Sequence, residues 1–339
     1  MVTRERPTLE AVARRAGVSR ATVSRVVNGS TTVAATIRDA VNQAVEELGY
    51  VPNQAARSLV TQRTESIALI LPETANRVFS DDLFFPAIIR GVSSELEAAD
   101  KQLVLMMAGS SASHGRVERY AMAGHVDGVM FASMHGADPL PGVLSRLRIP
   151  VVCSGRPLTP PGAPAVPYVD VDHIGGVASA VRHLLRLGRR RIATVAGPQD
   201  MVAGVDRLAG YRTALGEAGL PELVEAGDFT RESGVRAMRR LLAADPGLDA
   251  VFVASDMMAH GALHALHEAG RRVPEDVAVI GFDDVEISRF SDPPLTTVRQ
   301  PIVEMGRTMA RQVLALVEER ADVPIAVVLP TELVVRASA

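Results

Sequence analysis

VARRAGVSRATVSRVVNGS, residues 12–30, decides the fold of the N-terminal segment. Leu9, Val12, Ala13 and Ala16 share one helical face, and Thr8 stands where its hydroxyl can cap that helix. Gly17 supplies the left-handed turn that ends it. Ser19 caps a second helix expected over about residues 20–28, with Val23, Val26 and Val27 inward and Gly29 closing it. Two short helices around a glycine turn make a helix-turn-helix. A third helix is expected over residues 35–48, with Ile37, Val41, Ala44, Val45 and Leu48 inward. Ala34 cannot cap it, which leaves Thr32 or Thr36 as the cap, or an uncapped start.

Charge marks the same segment. The chain carries a formal charge of −3, yet six arginines against Glu5 and Glu10 fall between Arg4 and Arg25. Up to Glu65 there are nine arginines and six carboxylates, a net of nine minus six or +3, which leaves −6 for the remainder. A basic module on an acidic body points to nucleic-acid contact confined to the module. The second helix exposes Arg20, Ala21, Thr22, Ser24, Arg25 and Asn28, residue types that contact phosphates and base edges.

From about residue 66 the pattern changes. SIALILP, QLVLMM, DGVMFAS and IPVVCSG are strand-like runs separated by helical patterns, and APAVPYVDVD follows the proline-rich RPLTPPGAP. A second series, RIATVAG, LDAVFVAS and VAVIGFDD, follows. Two such series predict two doubly wound parallel α/β lobes. At 339 residues with 47% hydrophobic content the chain has material for several cores. No apolar run reaches membrane-span length, no signal-peptide segment precedes residue 8, and the single cysteine, Cys153, sits in a buried-type run. A cytoplasmic protein is expected, with no membrane contact and no cofactor.

TLEAVARRAGVSRATVSRVVNGS followed by LGYVPNQAARSL resembles the LacI/GalR family of bacterial transcriptional regulators. HLLRLGRRRIATVAG, DRLAGYR, GDFTRESG, VFVASDMMAHGAL and VAVIGFDD with PPLTTVRQP extend the resemblance over nearly the whole chain. It implies a DNA-binding headpiece over residues 1–50, with Thr8, Ser19, Arg20, Ala21, Thr22, Ser24, Arg25 and Asn28 toward DNA. It also implies a hinge over 51–65 that contacts DNA through Asn53, Ala56 and Leu59, the leucine as a minor-groove wedge. The effector and dimerisation body would span 66–339, resembling the bilobed periplasmic-binding fold. Lobe one is expected over about 66–165 and 298–325, and lobe two over about 166–297 and 326–339.

Ligands of such sheets bind beyond the carboxyl ends of the strands. Phe79, Phe84 and Phe85 cluster after the first strand and suit stacking on a sugar or base, although Phe85 also suits a helix core. Arg156, Ser255 and Asp256 end strands; a carboxylate there can also cap the following helix. The resemblance places Arg207, Phe229 and Asp283 at effector-binding positions. Arginine forks and carboxylates suit paired sugar hydroxyls. His260, His264 and His267 have metal-like helical spacing but no accompanying ligands, so no metal is expected.

The expected function is a repressor whose affinity for a pseudo-palindromic operator falls when a sugar or oligosaccharide binds. A purine or nucleoside is the alternative effector, and a transport solute-binding protein a distant third. An enzyme is not expected, because no catalytic constellation accompanies the strand ends. A homodimer is expected from two-fold operator reading and from a chain that stops after its last strand without a heptad extension.

Overall fold

The structure, a computed structural model, describes residues 7–27, 30, 32–51, 63–80, 83–158, 162 and 164–339. It divides into two compact units, Met1–Thr64 and Glu65–Ala339. The first is three helices, α1 (Leu9–Ala16), α2 (Arg20–Val27) and α3 (Ala35–Leu48). Thr8 Oγ1 accepts from Ala11 N at 3.3 Å, and Gly17 takes φ 67° to end α1. Ser19 Oγ accepts from Thr22 N at 3.1 Å and starts α2. Val12, Ala13, Val23, Val26, Val41, Ala44 and Tyr50 form the core. Ile37, expected inward, is 37% exposed. It lies in the first turn of α3, which no side chain caps, because Thr32 pairs with Ser30 instead.

The second unit holds two six-stranded sheets. In chain order its elements are β1 (Ser66–Leu71), α4 (Ala75–Val78), α5 (Phe84–Ala98), β2 (Gln102–Met107), α6 (Ser111–Met122), β3 (Gly128–Phe131), α7 (Leu140–Arg146), β4 (Val151–Ser154) and β5 (Tyr168–Val171). There follow α8 (His173–Arg186), β6 (Ile192–Ala196), α9 (Val202–Ala218), β7 (Val224–Ala226), α10 (Arg231–Ala244), β8 (Ala250–Val253), α11 (Asp256–Glu268) and β9 (Ala278–Asp283). The last are α12 (Ile287–Phe290), β10 (Thr296–Arg299), α13 (Ile302–Val317), β11 (Ala326–Leu329) and β12 (Glu332–Val334).

Sheet one runs β11-β5-β4-β3-β1-β2, all parallel; sheet two runs β12-β10-β9-β8-β6-β7, parallel except for β12. Alternation along β1 decides its packing. Ile67, Leu69 and Leu71 join the core shared with α5 and α13, whereas Ala68 and Ile70 join that of α6 and α7. Strands buried on both faces read as continuous apolar runs, which is why the sequence announces them so clearly. The Cys153 thiol is buried in β4, and burial pushes its pKa up, so it is an inert packing group.

The chain crosses between lobes three times, and the expected lobe boundaries at residues 166, 298 and 326 each fall early. Tyr168–Val171 pairs with β4 and β11, so the first crossing follows Val171. β10 belongs to sheet two, which puts the second crossing after Arg299. Ala326–Leu329 is the outer strand of sheet one, so the third crossing follows Leu329. In each case the chain completes a strand before it changes lobe, whereas composition changes at the loop before that strand or within it. Among the described residues no helix is long and apolar enough to cross a membrane.

Helix α13, though far along the chain, closes lobe one against α5 through two glycines. A methyl group on Gly91 would sit 2.0 Å from the Val303 carbonyl oxygen, and one on Gly306 would sit 2.4 Å from that of Ile88. Backbone cannot yield as a flexible side chain can, so Gly91→Ala must push the two helices apart. The expected cost is about 1–3 kcal/mol, the range for overpacking a filled core. Chemical denaturation of the purified variant checks it, and an unchanged midpoint would mean that the helices are not in this contact.

Candidate functional site

The first candidate surface is the outer face of α2. Arg20, Ala21 and Arg25 are exposed there, Thr22 and Ser24 are half-exposed, and Val23 and Val26 face inward. Arg20 reaches Glu10 at 3.1 Å, an exposed pair that gives way readily to a phosphate or base. Thr8 and Ser19 serve as helix caps, with their hydroxyls at the amino ends of α1 and α2. Asn28, Asn53, Ala56 and Leu59 lie outside the described residues.

The second candidate is a cleft of about 880 Å³, measured to its open mouth, between the carboxyl ends of the two sheets. Strand ends on one side bring Phe84, Phe85, Ser133, Ser154, Arg156 and Asp170; those on the other bring Arg207, Phe229, Ser255 and Asp283. Phe85 is buried and meets Phe84 edge-on at 5.5 Å between centroids, so Phe84 presents the more open ring. Phe79 is 69% exposed and does not line the cleft.

Arg207 is the cleft's buried cation. Its Cζ lies 3.8 Å from the centroid of Phe282 and 5.6 Å from that of Phe229. Nη1 donates to the Ala254 carbonyl at 2.6 Å and lies 3.4 Å from Asp283 Oδ1, and Nε donates to His173 Nδ1 at 3.3 Å. Burial lowers the pKa of this guanidinium, and Asp283, Asp170 and Asp256 oppose it. Because arginine has only donors, His173 Nδ1 must accept. The imidazole is therefore neutral and presents its Nε2–H to Asp170 Oδ1 at 3.2 Å, in keeping with a pKa pushed down by burial. Asp170 also accepts from Arg156 N at 3.1 Å and Val171 N at 2.9 Å.

Asp283 sits in a strained turn. It has φ 121° and Asp284 has φ 54°, values that non-glycine residues adopt only when surroundings enforce them. Gln300 Nε2 donates to Asp283 Oδ1 at 2.6 Å, Arg299 donates to Asp284 Oδ2 at 2.7 Å, and Arg336 pairs with Asp284 Oδ1. Asp256, expected to touch ligand, instead lies fully buried under the turn. Its Oδ2 accepts from Val285 N at 3.0 Å and its Oδ1 from Thr297 Oγ1 at 2.6 Å. Burial and the Asp283 carboxylate push its pKa well above the usual range. Ser255 borders the cleft, but its hydroxyl caps α11 by accepting from Met258 N at 3.2 Å. Phe229, at φ 64°, lies over Gly197, where a methyl group would meet its Cζ at 2.5 Å.

Polar contacts also span the lobes at the rim. Arg156 Nη2 reaches both oxygens of Asp206 at 3.1 Å, so its guanidinium is an inter-lobe tie beside the cleft. Arg77 Nη1 donates to the Asp228 carbonyl at 2.8 Å. His135 lies 2.9 Å from Asp200 Oδ2 and 3.2 Å from Glu73 Oε1, and Gly136 N donates to the Asp200 carbonyl at 2.7 Å. Sequence reading did not single out Asp170, His173, Gln300, Arg77 or His135. The first two stood in the quoted YVDVD run and the residues after it, where strand-end position was the available signal.

Comparison with known proteins decides the family. The HTH-type transcriptional regulator CelR of Thermobifida fusca is 50% identical over 341 residues, with 100% of each chain covered. The chain belongs to the LacI family. The family description "Bacterial regulatory proteins, lacI family" matches residues 8–53, and "Periplasmic binding protein-like domain" matches residues 181–339. Among solved LacI-family structures, a CelR–cellobiose complex is 48% identical with TM-score 0.78, covering 98% of this chain and 100% of that one. A Lac repressor dimer bound to operator and the anti-inducer ONPF is 30% identical with TM-score 0.85, covering 98% of this chain and 99% of that one. This LacI-family chain is thus a helix-turn-helix transcriptional regulator with a bilobed α/β body, and its relatives are regulators rather than enzymes.

The buried carboxylate under the strained turn gives a test. Asp256→Ala leaves the Val285 amide and the Thr297 hydroxyl without their acceptor, at about 1–3 kcal/mol for each unsatisfied group. Urea unfolding should show that loss, and any ligand held by Asp283 should bind more weakly because the turn loosens. Full stability in the variant would mean that the turn is held by other contacts.

Proposed function

We propose that the protein is a dimeric operator-binding repressor, working in the cytoplasm, whose DNA affinity falls when a glucose disaccharide such as cellobiose occupies the cleft. The observation that carries this reading is Arg207. A buried guanidinium stands beside Asp283, against the Phe282 ring, with Phe229 on the cleft wall, an arrangement that offers a sugar's hydroxyls a donor and a carboxylate and its C–H face an aromatic ring. The end-to-end similarity to CelR, and to a CelR structure solved as a cellobiose complex, supports the choice of sugar. Arg207, Asp283, Phe229, Phe84 and Arg156 are the proposed effector contacts; Phe85 and Ser255 shape the walls behind them. Arg20, Ala21, Thr22, Ser24, Arg25 and Asn28 are the proposed major-groove contacts, with Thr8 and Ser19 at the backbone and Asn53, Ala56 and Leu59 in the hinge.

Regulation follows from linkage. A sugar that prefers the body conformation with undocked headpieces must weaken operator binding by the ratio of its affinities for the two forms. A hundredfold loss needs about 2.7 kcal/mol of such preference. The test is operator binding by the full chain on a site selected from random DNA, followed by titration with cellobiose and, in parallel, with nucleosides. Release by cellobiose is expected, and release by a nucleoside alone would overturn the sugar assignment. Arg207→Ala and Asp283→Ala should bind operator nearly as wild type but lose at least tenfold in cellobiose affinity by calorimetry.

The headpiece has its own test. Arginine at a base edge discriminates by about 1–3 kcal/mol. Arg25→Ala is therefore expected to weaken operator binding and to relax preference at one position in each half-site of the selected motif. A selected motif without two-fold symmetry would overturn the dimeric reading.

A further inference from the structure

His135 stands outside the ligand-facing groups yet bridges both lobes. It follows β3 in lobe one. Its Nε2 lies 3.2 Å from Glu73 Oε1, after β1 in the same lobe, and its Nδ1 lies 2.9 Å from Asp200 Oδ2, on the lobe-two loop between β6 and α9. The same loop is met by the neighbouring backbone, where Gly136 N donates to the Asp200 carbonyl at 2.7 Å. Both nitrogens of the ring thus face carboxylate oxygens, which can only accept. A neutral imidazole has one N–H and can satisfy one of them; the imidazolium has two and satisfies both. The geometry therefore selects the charged ring whenever the rim is closed.

We propose that His135 is a positioning residue that clasps the two lobes while it is protonated, so that closing the cleft on its effector takes up a fraction of a proton. The proposal rests on the reading of the cleft as the effector site. It differs from the other rim ties, which are made by arginine side chains and a backbone amide. Opening the cleft separates His135 from Asp200 but leaves it beside Glu73, which is on its own lobe. The ring's proton affinity thus rises on closure by the contribution of Asp200.

The electrostatic surroundings agree. The hydrogen bond from Glu73 raises the His135 pKa, burial opposes, and Asp200 adds to the rise, bringing it to about 9. Burial raises Glu73, but the His135 and Ser133 hydrogen bonds and the charge of Arg77 outweigh it and keep the carboxylate ionised. Arg77 on α4, Ser133 and Glu73 from lobe one and Asp200 from lobe two are the charged and polar groups that surround this contact. The closed form has the higher pKa. Its advantage is therefore complete below the open-form pKa and disappears as pH rises through about 9. Asp200 is more than half exposed, so solvent screens the tie and the effect is modest.

The experiment uses the full chain with cellobiose as the probe. Calorimetry in buffers of different ionisation enthalpy at about pH 8.5 should show net proton uptake. The dissociation constant should rise roughly three- to tenfold between about pH 7 and pH 9.5. His135→Gln, which keeps a polar side chain but cannot titrate, should show neither effect. Wild-type pH dependence retained in that variant would overturn the proposal, as would a flat wild-type profile. Histidine ring NMR on the full chain, assigned with the same variant, needs no effector. Asp200→Ala should lower the titration midpoint of the ring, because the closed form contributes to it, and a midpoint unchanged by that substitution would overturn the clasp. Failure of cellobiose to bind at any pH would count against the sugar reading alone, and the ring titration would then decide the clasp.

Discussion

An arginine taken out of water is the constraint around which the body of this protein is arranged. Burying a guanidinium is tolerable only if its donors are met and its charge is compensated. Here Ala254 and His173 accept from Arg207, Asp283 stands beside it, and Phe282 carries its flat face. Each partner needs support in turn. His173 is oriented by Asp170, and Asp283 is held in a strained backbone by Gln300 and by the Asp256 carboxylate beneath the turn. Asp170 lies just before the first crossing between lobes and Gln300 just after β10 at the second. The hydrogen-bond chain that orients the arginine therefore runs between two of the three connections about which the lobes can move. A ligand that draws on Arg207 acts on a group already tied to those connections.

The two lobes are joined differently inside and at the rim. Inside, each sheet has its own apolar packing, and Val285 and Ile287 of lobe two join the core of lobe one. At the rim the ties are polar, and apart from the buried network they are partly exposed: Arg156 to Asp206, Arg77 to the Asp228 carbonyl, His135 to Asp200. Such contacts are individually weak in water. Weak ties between strong cores are what a hinge-bending body requires, because the equilibrium between its forms can then be moved by a ligand's few kcal/mol.

The sequence made the headpiece legible because its signals are local. Thr8, Gly17 and Ser19 are caps whose consequences extend only a few residues, and they act in the structure as caps. Most buried strands were legible for a similar reason, since a run such as Ile67–Leu71 is apolar throughout. Asp256 shows where such reading fails. A carboxylate after a strand can face a ligand or support the turn beside it, and only the position of Val285 and Thr297, 29 and 41 residues away, settles which. Asp170 and His173 went unselected because their partners are Arg156 and Arg207, on other elements. His135 illustrates the extreme: its meaning comes from two carboxylates, each more than 60 residues distant.

Threading three crossings through the body also orders its birth on the ribosome. Lobe one opens with Ser66, but one of the two helices that cover this face of its sheet is Ile302–Val317 and its outer strand is Ala326–Leu329. Between β5 and α13 the chain writes almost the whole of lobe two, about 130 residues. At roughly 5–20 residues per second that interval is on the order of ten seconds, during which the α13-facing side of sheet one, Ile67, Leu69 and Leu71 included, has only α5 as its cover. The glycine contact between α5 and α13 cannot form until the end of that wait. The headpiece, whose contacts are all short in sequence, has no such delay and can be complete while the body it serves is still half built.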